Sequence, residues 1–419
     1  PGVTCLHVRG SGVRPLESIL RLHHPSNFLK QNAMKTLLFY CQHILGIGHL
    51  IRSMAIARGL SQDFKVYFVN GGEVIQDFPI PEGIEVINLP AIKTDPNFQE
   101  LQVPDGFADV DAALAYRRGL LLEVCDRIRP TAVMVELFPF GRRRFSTELI
   151  PLLERAKVHG AKTICSLRDI VVTKQDQARH EAKVCKLMNR YFDQLLIHGD
   201  PSFLPLENSF SRVGDLTGEV HYTGYVVPDV DREFTPRSET DPPMILASVG
   251  GGRFGHELLN CVAQASQFLE DRIPHHIQMF TGPFAPEDVF NHLQAIASQR
   301  SNLTVQRYTP DLLSYMAKAD LSISMAGYNT TLNVLQTGVR AIQLPFTGND
   351  DQEQRLRSTR LEQLGIVKVI DSTALAPIPF SLEVIRALGH TRSQQHFCLR
   401  GVEITAARVR ALVAQEVFV

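Results

Sequence analysis

The chain has 419 residues, 44% of them hydrophobic, which is enough to bury the cores of two domains of ordinary size. Its 43 Lys and Arg balance 44 Asp and Glu, and the resulting net charge of −1 gives no indication of a nucleic-acid partner. The seven Cys are scattered, mostly within apolar runs, and no apolar run reaches the roughly 18 residues of a membrane-spanning helix. We therefore expect a cytoplasmic protein with reduced, buried thiols rather than a disulfide framework or a zinc site.

Residues 1–33 are basic and show no clear hydrophobic period, and they end at Met34, where an apolar run begins. We expect them to form an extension outside the core, with Met34 as the natural start of the protein. The alternative is a basic arm that contacts a membrane or a partner.

Between residues 34 and 225, short apolar runs alternate with helical segments. The runs are typical of buried parallel strands and cover residues 36–41, 65–70, 131–136, 163–167 and 194–198. A helical pattern follows the first run at residues 49–60, with Leu50, Met54 and Ala57 on one face. This alternation predicts a doubly wound parallel sheet.

Residues 226–243 are rich in proline and charge, which is typical of a solvated linker. The alternation of strands and helices then restarts, with strands at 244–249, 277–280, 303–306, 321–324 and 341–344. We therefore predict an α/β protein with two Rossmann-like, doubly wound parallel-sheet domains that face a cleft, residues 34–225 and 244–419. We assign the amphipathic helix at 404–417 to the second domain, with packing across the hinge as the alternative.

The first strand runs into a glycine-containing loop and a helix. Gly46 and Gly48 allow a tight turn, and His49 and Arg52 lie in the first turn of the helix. This position beyond the strand ends is where open α/β sheets bind ligands. A helix N-terminus disfavours protonated imidazole, so His49 is a candidate general base. The alternative is a histidine that only bonds the backbone at the helix start.

Three further features of the first half carry polar groups at strand ends. Glu136 ends one strand and would face the cleft. Arg142 belongs to a run of three arginines that would bind a phosphorylated acceptor or an anionic membrane surface, with a solvated charge run as the alternative. Arg168, with Asp169 beside it, is a candidate acceptor contact or one half of a local ion pair.

The second half opens with a strand followed by three glycines. Gly251 and Gly252 would let backbone amides approach a diphosphate, and Arg253 would neutralise its charge. The alternative is a tight turn that binds nothing. Farther on, Tyr308 and Thr309 are candidate contacts to a nucleotide base, whereas a core position is the alternative for the tyrosine.

Residues 321–354 are the most informative stretch. A strand turns at Gly327 into a helix, Gly338 ends that helix, and a second strand leads through Pro345 into a polar loop. A helix N-terminus after a glycine turn presents unpaired amides and a positive dipole end, which favours a phosphate. The alternative is an ordinary crossover whose Asn and Thr only cap the helix. The candidate residues are Gly327, Asn329, Thr330, Thr331 and Asn333 around the helix start and Asp351, Gln352 and Gln354 in the loop.

This order of residues resembles the donor-sugar motif of the GT-B glycosyltransferases, in particular the C-terminal domain of the MurG-like N-acetylglucosaminyltransferases. The resemblance implies that the helix start holds a nucleotide diphosphate and that Asp351 and Gln352 bind the donor sugar. In the family, an acidic residue six positions after the turn glycine holds the ribose. This sequence departs from that pattern, because Asn333 stands at this position. An amide can bond ribose hydroxyls but lacks the charge-assisted bond, which weakens the assignment of the nucleotide.

The glycine loop of the first half is similar to a second protein of this fold. Gly46, Gly48, His49 and Arg52 match a Gly-x-Gly-His-x-x-Arg segment of the pseudaminic-acid-pathway UDP-sugar hydrolase, in which the histidine activates water. In a transferase the same residue would deprotonate an acceptor hydroxyl, with Glu136 as its partner or its alternative.

From the motifs and both resemblances we predict a metal-independent, inverting glycosyltransferase. It would move a sugar, most simply an N-acetylhexosamine, from a UDP-sugar to an unknown hydroxyl acceptor, with no cofactor because the UDP-sugar is a substrate. We expect it in the cytoplasm, with peripheral membrane contact as an option and no nucleic-acid partner. The alternatives are a nucleotide-sugar hydrolase or epimerase of the same fold, and a non-catalytic nucleotide-sugar-binding protein.

Overall fold

The computed structural model describes residues 34–44, 48–75, 78–94, 100–172, 175–227, 241–346, 348, 352–391, 393 and 395–414. The expected extension at residues 1–33 lies outside the described residues, and so does most of the expected linker. The boundaries proposed for these two segments therefore stay predictions.

Nine strands are described in the first half, and seven of them form one parallel sheet. Their bounds are β1 Thr36–Cys41, β2 Lys65–Asn70, β3 Ile84–Asn88, β4 Lys93–Thr94, β5 Leu101–Gln102, β6 Ala132–Glu136, β7 Lys162–Arg168, β8 Gln194–His198 and β9 Glu219–Tyr222. The order across the sheet is β3-β2-β1-β6-β7-β8-β9, while β4 and β5 pair antiparallel beside it.

Helices cover both faces of this sheet because its side chains alternate between them. Leu38 and Tyr40 of β1 pack into the core formed with α2 (Val110–Ile128), α3 (Ser146–Val158) and α4 (Gln177–Tyr191). Leu37 and Phe39 point the other way, into the core formed with α1 (Gly48–Leu60). A parallel strand that is buried on both faces has apolar residues at successive positions, which is why β1 could be predicted from the sequence.

The second half repeats this arrangement in a sheet of six described strands, all parallel. The strands are β10 Met244–Ser248, β11 His276–Phe280, β12 Leu303–Gln306, β13 Leu321–Met325, β14 Arg340–Leu344 and β15 Val367–Val369, in the order β12-β11-β10-β13-β14-β15. The helices are α5 His256–Glu270, α6 Glu287–Ala297, α7 Leu312–Lys318, α8 Tyr328–Thr337, α9 Glu353–Gln363 and α10 Pro377–Gly389.

In each sheet the strand order reverses at one point. The reversal falls between β1 and β6 in the first sheet and between β10 and β13 in the second. Chains leaving the carboxyl ends of the two central strands diverge to opposite faces, which opens a crevice for ligands. The topology therefore places the start of α1, with His49, beside the end of β6, and the loop after β10 beside the turn at Gly327.

The last helix, α11 (Gly401–Ala414), differs from the predicted assignment to the second domain. Val409 and Leu412 pack into the core that α1 forms with the first sheet. The approach is close, because a Cβ added at Gly59 of α1 would lie 2.2 Å from Val402. The chain therefore returns to the first half, where an apolar helix face would otherwise be exposed to water.

Candidate active site

His49 and Glu136 meet at the carboxyl edge of the first sheet. His49 is the second residue of α1, and Glu136 is the last residue of β6. The Nδ1 atom of His49 lies 2.8 Å from Oε1 of Glu136. Arg52, one turn along α1, donates to the same carboxylate oxygen. The histidine thus bonds a carboxylate, and the structure brings together the two residues that were predicted to carry the chemistry.

The electrostatics of this pair favour a neutral imidazole beside an ionised carboxylate. Burial lowers the pKa of His49 to about 4, although Glu136 opposes the shift. Burial would raise the pKa of Glu136, but its hydrogen-bonded pairing with His49 and the charges of Arg52 and Arg142 together lower it to about 2. An ionised carboxylate only accepts hydrogen bonds, so the proton of the neutral imidazole lies on Nδ1. The lone pair of Nε2 is then left to accept a proton.

The remaining first-half candidates, which we assign to the acceptor side of the cleft, include Gly46, Gly48, Arg52 and Arg142, and they differ in their surroundings. Gly46 lies outside the described residues, and Gly48 is the first residue of α1. Arg52 is only 3% exposed, so it supports Glu136 from within rather than facing an acceptor directly. Arg142 is half-buried and donates Nε to the carbonyl of Gln42 at 2.8 Å.

Arg168 and Asp169 do not form the local ion pair that was the alternative for them, because each pairs with a residue of α9. Arg168 donates to Glu353 of α9. Arg357, also on α9, binds Asp169 through two bonds of 3.0 Å and binds Glu353 at 2.7 Å. Both acidic partners and Arg357 are buried, and together with the half-buried Arg168 they form an ionic cluster that joins the two halves.

The glycine loop after β10 is shaped by its neighbouring loop. Gly252 has a φ of +84°, and a Cβ there would lie 2.4 Å from the carbonyl oxygen of Thr281. Glycine is therefore required by backbone packing at this position. Gly251 is exposed, and the exposed guanidinium of Arg253 lies 5.0 Å from the centre of the Phe284 ring.

Tyr308 and Thr309 lie in the loop after β12. The tyrosine is 62% exposed, which excludes a core position for its ring. The hydroxyl of Thr309 accepts the backbone N–H of Asp311 at 3.1 Å and shapes the turn that precedes α7. An exposed ring at the carboxyl edge of the second sheet is accessible for stacking with a ligand.

The helix α8 begins directly after the predicted turn, at Tyr328. Gly327 is its N-cap, and no side chain caps this end of the helix. The Asn and Thr residues that follow the glycine therefore do not occupy the N-cap position. Asn329 is exposed, while Thr330 and Asn333 are half-buried.

The remaining residues of the predicted donor site are Thr331, Asp351, Gln352 and Gln354. Thr331 is only 1% exposed, and its hydroxyl accepts from the side chain of Gln343 at 3.3 Å, so it supports the sheet instead of facing a ligand. Gln352 is exposed at the start of α9, and the side-chain oxygen of Gln354 accepts the Phe346 N–H at 3.0 Å. Asp351 lies outside the described residues.

The starts of α1 and α8 approach each other from the two halves. A Cβ added at Gly48 would lie 3.4 Å from Nδ2 of Asn329. The ring of Tyr328, which sequence reasoning missed, lies within 5.6 Å of the Arg52 guanidinium. The signal for Tyr328 was its place in the motif directly after the turn glycine.

Within the described part of the chain, no group of three or more His, Cys, Asp and Glu side chains is arranged to hold a metal ion. None of the described helices has the length and hydropathy needed to cross a membrane.

The fold defines the class of protein. The structure superimposes on the crystal structure of the calicheamicin glycosyltransferase with a TM-score of 0.59 and 15% identity, covering 91% of this chain and 99% of that chain. It superimposes on MurG of Acinetobacter baumannii with a TM-score of 0.55 and 14% identity, with the same coverage of 91% and 99%. The chain has the two-domain GT-B fold, as predicted.

The sequence comparisons narrow the class. Residues 246–394 match the glycosyltransferase family 28 C-terminal domain. Over 170 residues the chain is 26% identical to the UDP-N-acetylglucosamine–N-acetylmuramyl-(pentapeptide) pyrophosphoryl-undecaprenol N-acetylglucosamine transferase of Haemophilus influenzae (strain PittEE), which covers 40% of this chain and 46% of that relative. Over 331 residues it is 22% identical to the protein of the same name from Caldicellulosiruptor saccharolyticus, which covers 77% of this chain and 81% of the relative.

In the match to the Haemophilus protein, the chain spans about half the length of its relative. The matched relatives and the fold neighbours described above are glycosyltransferases. The predicted resemblance to MurG-like GT-B glycosyltransferases is therefore confirmed.

Proposed function

We propose that this protein is an inverting glycosyltransferase that transfers an N-acetylhexosamine from a UDP-sugar to a hydroxyl group. The observation that carries the proposal is the His49–Glu136 pair at 2.8 Å, located at the start of α1, where that helix meets the start of α8. A neutral imidazole with a free Nε2 can take the proton of an attacking hydroxyl. The choice of UDP and N-acetylhexosamine is supported by the names of the matched relatives.

Inversion follows from the way the proposed roles are divided between the halves. The base belongs to the first half, and the motif for the diphosphate belongs to the second. A hydroxyl activated from one side would attack the anomeric carbon as the diphosphate leaves on the other. Such a single displacement inverts the configuration, whereas retention by double displacement would need a nucleophile on the enzyme.

We propose that the leaving diphosphate is stabilised without a metal. The N-terminus of α8 and the exposed Arg253 would supply positive potential, and the start of α1 lies close by. Two helix N-termini that approach each other place partial positive charges close together, which favours an anion between them. Such preorganised donors stabilise charge that develops in the transition state.

The test separates chemistry from donor binding. His49→Ala should lower kcat by roughly 10²–10⁴-fold, while the affinity for UDP measured by calorimetry stays within about threefold. His43→Ala is the matched control, because His43 also follows β1 and is buried, but it bonds Asn70 at 3.1 Å. Fast release of free sugar from the UDP-sugar without acceptor would instead indicate a hydrolase. Loss of UDP affinity in His49→Ala would contradict the assigned role.

We also propose peripheral contact with an anionic membrane surface. A cavity of about 530 Å³ on the first half is lined by Arg143, Arg144, Ser146, Lys183, Lys186 and Leu187. Each cation near an anionic surface contributes about 1 kcal/mol to binding. Reversing Lys183 and Lys186 to Glu should abolish co-sedimentation with vesicles that contain anionic lipid, whereas Lys368→Glu in the second half should not. Equal binding to neutral vesicles would contradict this proposal.

A further inference from the structure

The ring of Tyr328 lies where the donor motif meets His49 and Glu136, which we call the candidate catalytic dyad. Tyr328 is the first residue of α8 and is 9% exposed. Its hydroxyl lies 3.4 Å from the carbonyl oxygen of His198, at the end of β8. A residue of the second half is therefore inserted among the strand ends of the first.

Three guanidinium groups surround this ring. Their central carbons lie 5.6 Å (Arg52), 5.5 Å (Arg168) and 5.0 Å (Arg357) from its centre. Cations within about 6 Å of an aromatic face are attracted by the negative potential of the ring. Two of these arginines belong to the first half and one belongs to α9 of the second, so the ring is in contact with both halves.

Each guanidinium is also anchored to a carboxylate. Arg52 donates to Glu136, the residue that holds His49. Arg168 donates to Glu353, which directly follows the predicted sugar residue Gln352. Arg52, which bonds Glu136, and Arg168, which bonds the residue next to Gln352, therefore both pack against the same tyrosine ring.

We propose that Tyr328 is a positioning residue that couples the seating of the donor helix to the orientation of the His49–Glu136 dyad through Arg52. Arg52 has a planar guanidinium that can stack on the ring and bond the carboxylate at the same time. When α8 holds its place against the first half, the ring keeps Arg52 aligned with Glu136, and the carboxylate then keeps the imidazole in its productive orientation. The kinetic part of this inference rests on the proposed transferase function.

The proposed coupling depends on the aromatic ring of Tyr328 and not on its hydroxyl. Tyr328→Phe keeps the ring and removes only the bond of 3.4 Å to His198, so kcat should remain within about threefold of wild type. Tyr328→Leu removes the ring, and kcat should fall roughly 100-fold, the typical effect of misplacing a catalytic group by about 1 Å. UDP affinity should change less than threefold in both variants. Tyr315→Leu is the matched control, because Tyr315 packs on Phe280 at 5.1 Å in the same half.

A second readout needs no turnover. Burial lowers the pKa of His49 most, Glu136 raises it, and Arg142 and Arg52 lower it further. If the ring holds Arg52 in place, Tyr328→Leu should shift the NMR titration of His49 to higher pH, with its signal assigned through His49→Ala. If wild type transfers no sugar from any UDP-sugar, the proposed function fails, and this titration still decides the coupling.

Three outcomes would overturn the inference. In the first, Tyr328→Leu matches Tyr315→Leu in both kcat and the His49 titration. In the second, UDP affinity falls as much as kcat, which would make Tyr328 a donor contact. In the third, Tyr328→Phe loses as much activity as Tyr328→Leu. Should Tyr328→Leu fail to fold, Arg52→Lys replaces it, because a lysine keeps the charge near Glu136 but loses the planar stacking. In that variant too, kcat should fall while the affinity for UDP changes less than threefold.

Discussion

Replacing Glu136 by glutamine is the sharpest test of the dyad. The variant keeps the shape of the side chain and exchanges an ionised carboxylate for a neutral amide. In the wild-type protein, Oε1 accepts from His49 Nδ1 at 2.8 Å and also from Arg52. An amide can present either its oxygen or its NH₂ group to Nδ1, so it no longer selects the tautomer with a free Nε2.

Two effects of different size are expected from Glu136→Gln. The value of kcat should fall roughly 10²–10⁴-fold, which is the usual contribution of a positioned general base. The free energy of unfolding should fall by about 3–5 kcal/mol, because Arg52 would stay buried without its carboxylate. The matched control is Glu148→Gln. Glu148 is also fully buried in the first half, and it bonds Arg117 at 2.9 and 2.8 Å.

The assay compares kcat, UDP affinity and urea unfolding for the two variants and wild type. Glu148→Gln should lose comparable stability and keep most of its kcat at a temperature where it is folded. Glu136→Gln should lose kcat while it still binds UDP. A folded Glu136→Gln enzyme with kcat within about tenfold of wild type would refute the dyad, and so would an equal loss of kcat in Glu148→Gln.

Three further predictions concern stability, donor binding and metal. Burial lowers the pKa of His198 from 6.5 to about 3, so the unfolded chain binds more protons between these values and stability should rise with pH there. His198→Gln should reduce the difference in unfolding free energy between pH 5 and pH 7 by about 2 kcal/mol, and an unchanged difference would contradict this. Asn333→Glu should tighten UDP binding roughly fivefold in calorimetry if the ribose lies there, whereas Asn333→Gln should not. Turnover should survive EDTA, and activity that EDTA abolishes and Mg²⁺ restores would show that Arg253 and the helix N-termini do not suffice.

The sequence by itself determined the main strands and the location of the site. Strands such as Thr36–Cys41 and Gln194–His198 are apolar on both faces, which produces a signal that needs no tertiary information. Because parallel strands place their carboxyl ends at one edge, loops with glycine and polar residues after them predicted a cleft there. His49 and Glu136 were found in this way.

The strands that sequence analysis missed are less buried. Ile84–Asn88 and Glu219–Tyr222 lie at the two edges of the first sheet, and their side chains are half-buried or exposed. An edge strand is not buried on both faces, so it lacks a continuous apolar run. Val367–Val369 has only three residues and lies at the edge of the second sheet.

Only the tertiary structure decided which distant groups become partners. Asp169 and Arg357 are separated by 188 positions, and Tyr40 bonds Glu148 across 108. Local periodicity reports which face of an element is buried, but not which charged side chain lies against it. The return of α11 to the first half and the arginines around Tyr328 depend on how the two halves pack. The burial of Thr331 depends on how α8 packs against β14 in the second half. Such pairings follow from the path of the whole chain, because a buried charge is stable only where the fold supplies its counter-charge.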